Sequence, residues 1–200
     1  MSETRYIAIE GPIGVGKTAL AKRLAENLDA ELVLEEVDGN PILERFYRDG
    51  SSAAIPAQML FLFARARHIE DLRQSDLFAT TRISDYLFTR DRLFAELNLD
   101  VEELKLYDQI VANLDVDPPV PDLVIYLQAS VDALLHRLAR RNASYDRFVD
   151  RAYLEKLCDA YARFFHAYDE GPLLIVNASQ IDPVNNDADF DQLFRQIERT

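Results

Sequence analysis

Apolar residues recur along the chain in two rhythms. Short unbroken runs alternate with longer stretches in which they return every three or four positions. The runs Arg5 to Glu10, Glu31 to Leu34, Phe78 to Ser84, Asp122 to Leu127 and Leu173 to Val176 predict five strands, the third of them polar for a central strand. Between them the helical rhythm predicts a helix carrying Ala19, Leu20, Leu24 and Leu28, then a short one from Pro41 through Tyr47. A long helix follows from Ala53 to Gln74, with an apolar stripe at Ala57, Leu60, Phe61, Ala64 and Ile69. Further helices are expected near Tyr86 to Leu97, Val101 to Leu114, Ala129 to Arg140 and Asp150 to Tyr168, and a last one from about Asp187. Pro118, Pro119 and Pro121 break the chain. Strands alternating with helices predict an α/β fold, a five-stranded parallel sheet with helices on both faces. Right-handed crossovers put the C-terminal ends of all strands on one edge, where ligands bind. Four places can therefore meet: the loop after strand one, Glu35 after strand two, Asp85 after strand three, and Asn177 at the end of strand five.

Composition narrows the picture. Two hundred residues with no repeat, low-complexity tract or linker read as one domain, residues 1–200, large enough to bury a core. The net charge of −13 argues against a nucleic-acid partner, which would need a basic stripe. No apolar run is long enough to span a bilayer and no signal peptide opens the chain, so no membrane partner is expected and the cytoplasm is the expected location. A single cysteine excludes an intramolecular disulfide; Cys158 shares a helical pattern with Leu154, Leu157 and Tyr161 and reads as a buried structural thiol. His68, His136 and His166 are scattered without metal-ligand spacing and read as surface or packing residues.

The chemistry starts at Gly11-Pro12-Ile13-Gly14-Val15-Gly16-Lys17-Thr18, which fits the phosphate-binding loop G-x-x-x-x-G-K-[ST]. It stands between a predicted strand and a predicted helix, the context that confirms such a match. Glycines let backbone N–H groups curl round phosphate oxygens, and the helix N-terminus adds positive potential. Lys17 is expected to reach the β- and γ-phosphates of a nucleoside triphosphate, and Thr18 to place its hydroxyl on Mg²⁺. No N-K-x-D or D-x-x-G motif of a GTPase follows, and strand three is not the strongly apolar strand that usually precedes the acid of a coupled ATPase. A small kinase remains. Glu35, at the ligand edge, is the candidate base for an acceptor hydroxyl, although a solvated strand-end acid would occupy the same position. The stretch Leu138 to Arg147 has the composition of an arginine-rich lid (about residues 140–149); taken alone, a solvated charge run is the commoner reading of such a segment.

Several stretches agree with one family. They are Ile9-Glu10-Gly11 through Thr18, Glu35, Asn40-Pro41 through Tyr47-Arg48-Asp49, Gln58 with Arg65 seven residues on, Ser84-Asp85-Tyr86-Leu87-Phe88-Thr89-Arg90-Asp91-Arg92, Tyr126 to Ala129 with Leu135-His136-Arg137, and Val184 to Phe190. Over nearly its whole length the chain resembles the deoxynucleoside kinase family, the P-loop kinases of deoxycytidine, deoxyguanosine and deoxyadenosine, in a bacterial branch. The resemblance implies ATP as phosphate donor with Mg²⁺, a deoxynucleoside acceptor, a 5′-monophosphate product and a homodimer. It implies Glu35 as base, Lys17, Arg137 and Arg141 as cations around the transferred phosphoryl group, and Thr18 with Asp85 near Mg²⁺. For the acceptor it implies Tyr47 at the 3′-hydroxyl, Gln58, Arg65 and Asp91 reading the base, Phe61 and Phe94 flanking it, and Asp146 as the acid of the lid. The loop through Asp187 and Phe190 would hold the donor's adenine, with Asp187 also suited to cap the last helix. By the same resemblance, Arg65 with Asp91 implies a purine or cytosine base rather than thymine. One departure stands out. The family's arginine and serine after the strand-three acid are Tyr86 and Leu87 here, leaving Arg65, Arg90 or a lid arginine to do their work. A nucleoside monophosphate kinase of the thymidylate kinase type, or a nucleotide-binding regulator without catalysis, are the alternatives.

Overall fold

Both β1 (Tyr6–Glu10) and β4 (Leu123–Gln128) are near-continuous apolar runs because they lie in the middle of a sheet covered on both sides; Ile7, Ile9, Leu123 and Ile125 have no exposed surface. The computed structural model describes residues 5–35, 40–74, 81–114, 116–141 and 143–200. With β2 (Glu31–Val33), β3 (Arg82–Ser84) and β5 (Leu173–Asn177) the strands form one parallel sheet in the order β2-β3-β1-β4-β5. The crossover leaving β1 runs to one side of the sheet and that leaving β4 to the other, so the crevice expected at a change of strand order opens at their C-terminal ends.

The described helices are α1 (Lys17–Leu28), α2 (Pro41–Asp49), α3 (Ala54–Gln74), α4 (Asp91–Asn98), α5 (Val101–Leu114), α6 (Val131–Arg141), α7 (Arg151–His166) and α8 (Asp187–Ile197). Leu20 and Leu24 of α1, Leu134 of α6, Leu154 and Tyr161 of α7 and Leu193 of α8 join the strands in one core. A smaller cluster of Leu62, Ala95 and Tyr107 ties α3, α4 and α5 together beside the crevice. Among the described residues no helix is long and apolar enough to cross a membrane.

The predicted elements are all present, with shifted edges that have local causes. Within the described residues β3 starts only at Arg82; the predicted positions 78–80 lie outside them. Its polar character is satisfied by specific partners, since the Ser84 hydroxyl donates to Tyr86 O (2.7 Å) and Arg82 Nε pairs with Glu31 across to β2 (3.1 Å). The helix expected from Tyr86 begins later, as a 3-10 turn at Phe88–Arg90 running into α4, after Leu87, whose backbone is extended (φ −112°, ψ 127°) and whose N–H donates to the Glu10 carboxylate (2.9 Å). Helix α6 starts two residues later than expected, after Ser130, whose hydroxyl accepts from Ala133 N. Leu62, absent from the predicted stripe of α3, is fully buried, whereas Leu60 and Phe61 are half-buried. Cys158 is half-buried, and burial raises its thiol pKa. His68 does pack between helix and loop, its Nδ1 2.8 Å from the Tyr86 hydroxyl.

Gly11 closes β1 at φ +150°, and a Cβ there would lie 2.3 Å from the backbone oxygen of Leu127 in β4. Since that oxygen belongs to a central strand, it cannot yield. Gly11→Ala is expected to destabilise the chain by at least about 1–3 kcal/mol, or several degrees in a thermal melt followed by circular dichroism.

Candidate active site

Helix α1 begins without a side-chain cap. Its first position is preceded by Gly16 at φ +107°, whereas α2, α7 and α8 are capped by the side chains of Asn40, Asp150 and Asn186. Its terminal N–H groups are therefore left for a ligand, and the field of the helix favours an anion. Lys17 lies over the loop, with Nζ 2.7 Å from Gly11 O. Burial lowers its pKa, against the pull of Glu10. The Thr18 hydroxyl donates to Asp85 Oδ2, while Asp85 Oδ1 accepts the backbone N–H of Glu35 at 2.8 Å. Asp85 thus joins the phosphate loop to the end of β2; burial raises its pKa. Arg137 of α6 donates to Val15 O (3.0 Å) and Ala178 O (2.6 Å), fixing the loop against the end of β5.

Above the other half of the crevice stands a buried charge network. Arg65 of α3 donates through one terminal nitrogen to Glu35 and through the other to Asp91 at the start of α4. Tyr107 of α5 donates to the second Asp91 oxygen (2.7 Å), and the Gln58 amide donates to Asp91 O (3.0 Å). Burial pushes the Glu35 carboxyl up, but Arg65 and Arg90 outweigh it and hold the group below the usual glutamate range. Arg90 sits over the Phe94 ring at 4.5 Å, with Nε on Glu10 (2.7 Å) and Nη2 3.9 Å from Glu35. Glu10 has no exposed surface and accepts four hydrogen bonds: from Arg90, Leu87 N, Gly11 N and the Tyr161 hydroxyl.

One cavity of about 530 Å³ joins the two halves. Gly14, Val15, Gly16, Lys17, Thr18 and Asp85 line one end. Glu35, Tyr47, Gln58, Phe61, Arg65, Asp91 and Phe94 line the other, and Arg137 and Arg141 also belong to the wall.

The chain matches the deoxynucleoside kinase model over residues 7–200. It belongs to that family. It is 33% identical to a deoxyguanosine kinase of Bacillus subtilis across 98% of both chains, and 28% identical to a deoxyadenosine/deoxycytidine kinase of the same organism across 96% of this chain and 90% of that one. Among solved structures it superposes on a deoxyadenosine kinase from M. mycoides, solved with dCMP and dCDP bound, with a TM-score of 0.84 and 25% identity, covering 98% of this chain and all of that one.

Several residues carried over from the family stand elsewhere in this kinase. Asp146 does not line the cavity; it is buried, held by Arg141 through Nε (2.9 Å) and a terminal nitrogen, and by Ala143 N. Phe190 faces the core, with the Arg23 guanidinium 4.1 Å above its ring. Asp187 is exposed and pairs with Arg23; Asn186, one residue earlier, caps α8. Asp182, Pro183, Val184 and Asn185 line the cavity instead. Gly11 lies beneath the loop rather than in the cavity wall. Tyr47 stacks on Tyr145 of the lid (5.4 Å between centroids, 16° between planes). Tyr145, Tyr107 and the Glu10 network were not singled out from the sequence, since a tyrosine or an acid at a helical or strand position carries no spacing signal of its own.

The Arg65–Asp91 pair is buried on both sides. Removing only the cation leaves a carboxylate stranded, so Arg65→Leu should cost about 3–5 kcal/mol. Arg65→Leu combined with Asp91→Leu should cost less than the sum of the two singles; urea unfolding of the four members of the cycle measures this.

Proposed function

We propose that this chain transfers the γ-phosphoryl group of ATP to the 5′-hydroxyl of a deoxynucleoside carrying a purine or cytosine base. The observation that carries the reading is the bridge of Arg65 between Glu35 and Asp91, in one cavity with the phosphate loop. It sets an ionised carboxylate in the same cavity as the phosphate loop, beside a polar, aromatic-walled slot. Gln58 and Asp91 supply the hydrogen-bonding groups of that slot, and Phe61 and Phe94 its faces.

Glu35 takes the 5′-hydroxyl proton as the oxygen bonds to the γ-phosphorus; the bond from that phosphorus to the β,γ-bridging oxygen breaks, and ADP leaves with the electron pair. Lys17 and the α1 N-terminus face the phosphates, and Arg141 approaches from the lid. Tyr47, held against Tyr145, orients the sugar at its 3′-hydroxyl. Thr18 Oγ1 and the Asp85 carboxylate are hard oxygen donors in direct contact at the start of α1, which suits Mg²⁺, a cation that takes few protein oxygens beside phosphate oxygens and water. Bound there, Mg²⁺ would neutralise charge on the β- and γ-phosphates. By family resemblance the working form is a homodimer.

In a coupled assay of ADP release, Glu35→Gln should lower kcat at least ~10²-fold while ATP affinity, measured by calorimetry, stays within a few-fold. Turnover should appear with deoxyadenosine, deoxyguanosine or deoxycytidine in the same assay. Turnover confined to deoxynucleoside monophosphates would strip Glu35 of its role, and silence on every acceptor would leave only nucleotide binding. A second outcome concerns pH. A carboxylate whose pKa is depressed in the folded enzyme stays ionised until pH falls through that lower value. The kcat/KM of the acceptor should therefore hold steady on acidification and lose the base only below about pH 4.5, the ordinary glutamate value. An acid limb near pH 6 would contradict the base assignment.

A further inference from the structure

Arg65, Arg90, Arg137 and Arg141 all line the cavity and each hydrogen-bonds a protein acceptor, but their donors are not equally committed. Arg65 gives both terminal nitrogens to carboxylates, Glu35 and Asp91. Arg137 gives both to backbone carbonyls, Val15 O and Ala178 O. Arg141 gives Nε and a terminal nitrogen to Asp146. Arg90 differs. Its only hydrogen bond among the described residues runs from Nε to Glu10, and its terminal nitrogens make none, with Nη2 resting 3.9 Å from Glu35. Its side chain is nevertheless 4% exposed, lines the cavity, and is clamped from behind by Phe94.

The clamp has a direction. Glu10 is the last residue of β1, and the next N–H, that of Gly11, donates to the same carboxylate at 2.8 Å. The Arg90 guanidinium is thereby indexed to the first residue of the phosphate loop rather than to the lid. Tyr161 and Leu87 N saturate the remaining acceptor positions of Glu10. Glu10 therefore cannot turn away to follow another donor.

The geometry points to Arg90 as a catalytic residue, whose two terminal nitrogens hydrogen-bond the acceptor's 5′-oxygen and the γ-phosphoryl oxygens as that oxygen passes its proton to Glu35. It fills the place left by Tyr86 and Leu87, where family members carry arginine and serine after the strand-three acid. Glu10 and Tyr161 are positioning residues, acting through Arg90. The assignment rests on the phosphoryl transfer proposed above. Placed donors of this kind act where charge develops, and losing one lowers turnover more than binding.

The test compares wild type, Arg90→Lys and Arg90→Ala in steady-state assays on the acceptor that wild type prefers. Guanidinium chloride, far below denaturing concentration, is added to each. Arg90→Ala should lose about 10²–10³-fold in kcat, with KM for ATP and for the deoxynucleoside within a few-fold of wild type. Added guanidinium should restore at least tenfold of that loss in Arg90→Ala and nothing in wild type. Arg90→Lys keeps the charge beside Glu10 and so keeps the fold if Arg90→Ala does not. It should still lose tenfold or more in kcat, because an ammonium cannot hold Glu10 and two oxygens at once. Near-normal kcat in either folded variant, or a rise in KM alone, would overturn the assignment while leaving the kinase reading intact. A wild type silent on every deoxynucleoside would remove the kinase reading itself, and this proposal with it.

Discussion

A single buried carboxylate sets the geometry around which this kinase is built. Glu10 ends the central strand, has no exposed surface, and accepts from the loop at Gly11, from the segment after β3 at Leu87 and Arg90, and from α7 at Tyr161. An ion buried this deeply is costly unless all its acceptor positions are used. Here they are used by three different elements, so satisfying one charge fixes three pieces of chain relative to the phosphate loop.

Charge is unevenly spent in this molecule. The chain carries a net −13, yet cations crowd the cavity: Lys17, Arg65, Arg90, Arg137 and Arg141. Each buried arginine has at least one acceptor in place, and Glu35 is ionised because two of them surround it. In such low-dielectric surroundings oriented charges act strongly and need no reorganisation when the reaction's own charge develops. The cations gathered in the cavity suit a phosphorylated ligand.

The alternation of strand and helix, and the loop from Gly11 to Thr18, were legible residue by residue, because both rest on local rules: period, strand end, and glycines where φ is positive. Glu35, Asp85 and the phosphate loop were placed together in advance by handedness alone, and Asp85 does bond to both Thr18 and Glu35 N. Gln58 and Arg65 were expected on one face of the long helix, and both reach Asp91. Three other expected site residues do not line the cavity. Asp146, Asp187 and Phe190 were assigned by position along the chain, and here Asp146 and Asp187 pair with arginines while Phe190 packs in the core under Arg23. The stripe on α3 missed Leu62 because that helix buries one side against α4 and α5 and shows another to the cavity, so its apolar positions do not form one simple band.

By itself, then, the sequence determined the order of the elements, the phosphate loop and the residues available to the strand ends, since these follow from interactions among near neighbours in the chain. Tertiary structure alone decided how the charges were shared out. Whether Arg65, Arg90, Arg137 or Arg141 keeps donors unspent depends on acceptors supplied by strands, helices and backbone carbonyls far away in sequence. A hydrogen bond needs its partners within about 3 Å of each other, and spacing along the chain cannot say which of several long side chains will reach a given acceptor first.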